Sequence, residues 1–121
     1  MALALDVLLL LIALEHVLFL WLEMWLWTKP SGRKIFGLNP EQAAATSKLA
    51  ANQGLYNGFL AAGLVWGWWS TDDSLQLFFL LCVFIAGVFG ALSVSRNIFW
   101  VQAMPAMLAL ILLFQIYYLN P

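Results

Sequence analysis

The sequence predicts an all-α fold, an antiparallel four-transmembrane-helix bundle with its N-terminus and C-terminus both outside. Three observations predict it. Four apolar stretches, each long enough to span a bilayer as a helix, fill most of the 121 residues. Hydrophobic residues make up 64% of the chain and charged residues only 9%, more apolar surface than a soluble domain of this size can hide. The five basic residues, Lys29, Arg33, Lys34, Lys48 and Arg96, fall on one side of the resulting topology.

The first stretch, residues 5–27, is apolar except for Asp6, Glu15, His16 and Glu23. The segment from Lys29 to Pro40 comes next, rich in Gly and Pro and expected not to continue a helix. Glu41 and Gln42 begin the second helix behind Asn39-Pro40, with an acid at the positive end of its dipole. That helix covers residues 43–69 and needs some tilt to fit the bilayer. Ser70-Thr71-Asp72-Asp73-Ser74 is a tight polar turn that offers caps to a third helix over 75–94. Ser95-Arg96-Asn97 makes a very short connection to a fourth over 98–118. No stretch alternates polar with apolar residues, which argues against strands. The whole, 1–121, reads as a single integral membrane domain.

Placing the basic residues inside puts the loops after the first and third helices in the cytoplasm. Asp6, Asp72 and Asp73 then lie outside. Trp25, Trp27 and Trp100 mark the inner interface; Trp66, Trp68, Trp69, Tyr117 and Tyr118 mark the outer one. The expected location is a bacterial inner membrane. No Lys or Arg precedes Lys29 and the first apolar run is long, so the first helix is expected to stay in the mature protein rather than leave as a signal peptide.

Packing between helices in lipid favours small residues, because lipid supplies little hydrophobic drive. Ala50, Gly54, Gly58 and Ala62 form one row at four-residue spacing. Gly87, Ala91 and Ser95 form another, flanked by Ala86 and Gly90. Pro105, inside the fourth helix, removes a backbone donor, frees the carbonyl of Val101 and predicts a kink beside Gln102.

The chemistry sits in the polar residues of these spans. Ionisable groups at bilayer depth are costly and mark functional sites by default. Glu15, His16 and Glu23 are candidates for acid–base work. Lys48, Asn52, Gln53, Tyr56, Asn57, Arg96 and Gln102 are candidates for ligand binding, and all fall in the cytoplasmic half. His16 and Glu23, seven residues apart, point within ~20° of each other with about 10 Å between them along the axis. Glu15 points about 100° away from His16. Three readings compete. Lys48 or Arg96 neutralises a carboxylate and the amides bind the rest, a purely structural network. The carboxylates and His16 form the working end of a cytoplasm-facing pocket. Or they hold a metal, for which the spacing of His16 and Glu23 is unsuitable and the paired Glu-x-x-His helices of a di-iron bundle are missing; no metal is expected.

Other classes find no support. Net charge is −1, so nucleic acid is not an expected partner. There is no Gly-rich phosphate loop and no Gly-x-Ser-x-Gly elbow. Cys82 is the single cysteine and reads as a small packing residue. The outer half has no relay residues for a transporter.

Several blocks carry a resemblance: Glu15-His16, Leu22-Glu23-Met24-Trp25-Leu26-Trp27-Thr28, Gly32-Arg33-Lys34, the run from Ala51-Asn52-Gln53-Gly54-Leu55-Tyr56-Asn57-Gly58 to Leu64, Val94-Ser95-Arg96, and Val101-Gln102-Ala103-Met104-Pro105-Ala106. Over nearly the whole chain these resemble a family of small, mainly microbial, four-helix membrane proteins classed as a domain of unknown function. The resemblance implies four spans and no set activity. A more distant resemblance, in size and topology, is to the membrane-associated proteins of eicosanoid and glutathione metabolism. It implies trimers with a cytoplasmic glutathione site. Lys48 and Asn52 match the first two positions of that superfamily's second-helix motif, whereas Leu55 stands where it has Glu.

The expected function is therefore a polar, cytoplasm-facing intramembrane pocket for a small amphipathic or lipid-like molecule, with acid–base chemistry by Glu15, His16 and Glu23. The alternatives are a structural or accessory membrane subunit and a glutathione-dependent membrane enzyme. The lipid bilayer and further copies of the chain are the other expected partners.

Overall fold

The structure, a computed structural model, describes residues 1–120. Among them are five α-helices, three single π-helical turns and no strand: α1 (Ala2–Trp21), π1 (Leu22–Leu26), α2 (Pro30–Phe36), α3 (Pro40–Trp69), α4 (Asp73–Ser93), π2 (Phe99–Ala103), α5 (Met104–Phe114) and π3 (Gln115–Leu119). The bounds of these helical stretches lie within three residues of the four apolar stretches of the sequence at every end.

Three stretches are long and apolar enough to cross a membrane: Ala2–Leu26, Asp73–Ser93 and Phe99–Leu119. At 30 residues α3 is the longest helix, yet Lys48, Asn52, Gln53 and Asn57 make it the least apolar of the long ones.

The helix ends follow from their sequences. Asn39 and Gln42 cap the start of α3 reciprocally: the Gln42 amide N–H donates to Asn39 Oδ1 (2.8 Å) and the Asn39 N–H donates to Gln42 Oε1 (3.0 Å). Asp72 Oδ1 accepts from the N–H groups of Ser74 (2.9 Å) and Leu75 (3.0 Å), the cap expected of that turn.

One local expectation is corrected. The Gly- and Pro-rich segment after Trp27 contains a helix, α2. Pro30 starts it, its ring pre-setting the first helical φ, and Gly37 ends it in the left-handed region at φ 65°. Proline and glycine here bound a helix rather than forbid one. At Gly32 the chain folds back so closely that a β-carbon would collide with the carbonyl of Leu26. At Pro105 the fourth stretch answers with π2, a widened turn ending two residues before the proline. Such a turn accommodates the ring and the missing donor without breaking the helix.

The chain divides into two compact units. The first holds Met1–Ala13 and residues 62 onward. Leu5, Leu9, Ile12, Leu64, Leu80, Val83, Ala103, Ala106, Ala109 and Leu113 fill its core. Gly87 lets α4 approach π2 until a β-carbon would stand 2.7 Å from the Ala103 nitrogen. Of the small-residue row expected here, Gly87 is buried and Gly90 faces Ile98, whereas Ala86 and Ser95 are exposed.

The second unit is Leu14–Ala61. Ala43, Ala50, Gly54 and Ala61 of α3 are buried in it. Gly54 meets Glu23, Met24 and the Leu20 carbonyl, and Gly58 meets the Leu20 side chain. The Gly54–Gly58 part of the ridge is thus a seam against the end of α1 and π1.

Candidate functional site

Along α1 the buried positions are Leu5, Leu9, Ile12, Ala13, His16 and then, in π1, Glu23. Leu9, His16 and Glu23 repeat at sevens, two helical turns apart, and so share one face. The same stripe that packs leucine in the first unit carries an imidazole and a carboxylate in the second.

His16 is 0% exposed and meets the Phe19 ring edge-on at 5.5 Å. Glu23 is 6% exposed. Its Oε1 accepts a hydrogen bond from Asn57 Nδ2 at 3.1 Å, which joins π1 to α3. Its Oε2 is buried and has no hydrogen-bond partner. Glu15 is half-buried, and its Oε1 is likewise buried without a partner. Among the described residues of this unit no basic side chain pairs with either carboxylate. A buried acceptor left unmade costs about 1–3 kcal/mol, so two of them on one helix are notable.

The other candidate residues separate into groups. Asn57 is joined to Glu23. Lys48, Asn52, Gln53 and Tyr56 are exposed on α3. In the first unit Arg96 is exposed, and the half-buried Gln102 donates from Nε2 to the Val83 carbonyl at 3.2 Å, tying π2 to α4. Among the described residues no three His, Cys, Asp or Glu side chains converge as a metal site would require.

Residues outside the candidate set also matter. Trp27 Nε1 donates to Thr46 Oγ1 (3.0 Å), and its ring lies 4.7 Å from that of Phe36, so α2 and α3 are both held at the end of the first stretch. Arg33 has its Nε buried without a partner. Gln76 is buried and donates from Nε2 to the Gly67 carbonyl (3.0 Å), bracing the turn from α3 to α4. Gln76 is visible in the sequence as an amide in an apolar run; nothing there marks the approach of Gly32 to Leu26.

Over the described residues the chain is all-helical, with three helices long and apolar enough to cross a membrane and a part-buried Glu23–Asn57 pair, the features of the membrane-protein class. More specifically, the chain belongs to the family described as "Protein of unknown function (DUF1304)", whose match covers residues 10–114. It is similar to the uncharacterized protein YpaA of Lactococcus lactis subsp. lactis (strain IL1403), at 30% identity over 106 residues, covering 84% of this chain and 89% of that one. No solved structure matches.

Proposed function

We propose that this is a four-span bacterial inner-membrane protein whose site, centred on Glu23 and Asn57, binds a small amphipathic or lipid-like molecule. In this reading α3 is the remaining span and the four long helical stretches run antiparallel. The basic residues and the site lie toward the cytoplasm, and both termini lie outside.

The single observation that carries the reading is Glu23: nearly fully buried, one oxygen bonded to Asn57, the other without a donor. Hydrocarbon offers no hydrogen bonds, so the missing donor has to come from a guest. The guest is then a molecule with an N–H or O–H in its polar head and an apolar body that suits a membrane span. Glu15 and His16, about two turns earlier on the same helix, are the residues that this reading assigns to acid–base work.

The test is mass spectrometry of lipids and small molecules that co-purify in mild detergent. Wild-type protein should carry a defined molecule with a donor head, and Glu23→Gln should lose it while keeping its helical spectrum. A Glu23→Gln variant that retains the same molecule would refute the site.

A second reading has its own support. The Asn57–Glu23 bond joins π1 to α3, as a purely structural pair in a non-catalytic accessory subunit would. That reading expects Glu23→Gln and wild type to share the same co-purifying molecules and to differ in melting temperature. Glutathione is tested in the same format, since any ligand of the folded state must raise the melting temperature. A flat response at millimolar glutathione would set the glutathione-dependent alternative aside.

A further inference from the structure

We propose that copies of this chain assemble through one face of α3, marked by Asn52, Gln53 and Tyr56. This rests on the reading that α3 crosses the bilayer.

One side of α3 is already covered. Gly54 and Gly58 face the end of α1 and π1, and Asn57 turns to Glu23. Asn52 and Tyr56 stand about 160° around the helix from Gly54, on the opposite side. They are exposed, Tyr56 to 59%, and Gln53 beside them is exposed too. Leu49 and Phe59 extend the same exposed face above and below.

The other membrane-length helices look different. Their exposed mid-helix side chains are hydrocarbon or aromatic, such as Val17 on α1, Ile85 on α4 and Ile111 on α5. Among the described residues, α3 alone presents carboxamides from its middle to the outside. Asn52 lies about 21 Å along the axis from Trp66, well inside a hydrocarbon layer of about 30 Å. Lipid tails cannot satisfy an amide at that depth.

The cover for this face must therefore both donate and accept hydrogen bonds without bringing a net charge. A second α3 does this. Each carboxamide carries both functions, so like pairs with like across a symmetric contact. No charged residue lies on α3 beyond Lys48, so two copies meet without repulsion along this stretch. Amides of this kind are known to hold helices together in membranes.

The experiment uses the full chain in native membranes. Cys82→Ser provides a cysteine-free background, and Asn52→Cys, Gln53→Cys and Ile85→Cys are added singly. Oxidation with copper phenanthroline should give a disulfide-linked pair of this chain with Asn52→Cys or Gln53→Cys, and none with Ile85→Cys. A linked band of any other mass, or equal linking at Ile85→Cys, would overturn the proposal. A membrane-impermeant maleimide separates the two ways to fail. Rapid labelling at position 53 shows that α3 is not in hydrocarbon, and both readings fall. No labelling and no cross-link leaves the span intact and removes the assembly.

Discussion

The two units differ in what fills them. The unit made of Met1–Ala13 and the chain from Ala62 onward is packed with leucine, valine and alanine, and its buried polar side chain, Gln76, braces a turn. The Leu14–Ala61 unit buries His16 and Glu23 and uses Asn57 to hold the latter. One helix, α1, contributes to both, with Leu5, Leu9 and Ile12 in the first and His16 in the second. The lesson is that a single buried stripe serves packing at one end and polar pairing at the other. The first unit should respond to changes of volume and the second to changes of pairing.

That contrast can be broken by mutation. The largest effect is expected at Gly87, where a side chain must push α4 off the Ala103 backbone. Gly87→Val should abolish the folded α4–α5 pairing, read as loss of protease resistance in detergent. Leu80→Ala, at a fully buried position, should cost about 2–5 kcal/mol in detergent-denaturation titrations, whereas Leu80→Met should cost less than about 1.5 kcal/mol. In the second unit, Asn57→Leu adds apolar bulk yet strips Glu23 of its donor, so it should cost about 1–3 kcal/mol. If Asn57→Leu proves neutral, the pairing half of the contrast fails. The smallest stability effect is expected for Glu23→Gln, which keeps both the volume and an acceptor for Asn57. It should shift stability by less than about 1 kcal/mol while removing the co-purified guest.

Much of this is legible in the sequence. Apolar run lengths give the long helices, and Asn39, Asp72 and Pro40 give their starts. The seven-residue spacing gives His16 and Glu23 a common face, and four-residue spacing finds Gly54 and Gly58. Other features are hidden for physical reasons. Which end of a small-residue row makes contact depends on where the neighbouring helix runs, so Ala50 is buried and Ala62 is exposed. Asn57 and Asn52 are the same residue type on the same helix; only the position of Glu23 decides that one is bonded and the other outward. The helix α2 escapes any reading that takes proline and glycine as breakers, because here they stand at its two ends. The π turns have no composition signal beyond Pro105 near π2.

Glu23 sits inside one of those turns, π1. A π turn closes its hydrogen bonds one residue later than an α turn, so it stores a surplus residue relative to the regular winding. That surplus sets the phase between the helix before it and the chain after it. Excising one residue after Glu23, within 24–26, would remove that surplus and let ordinary winding resume, leaving both the carboxylate and Trp27 close to their present phase. This short tract is therefore a place where a one-residue deletion is absorbed, whereas the same deletion in the regular winding of α1 between His16 and Trp21 would turn Glu23 by about 100° away from Asn57.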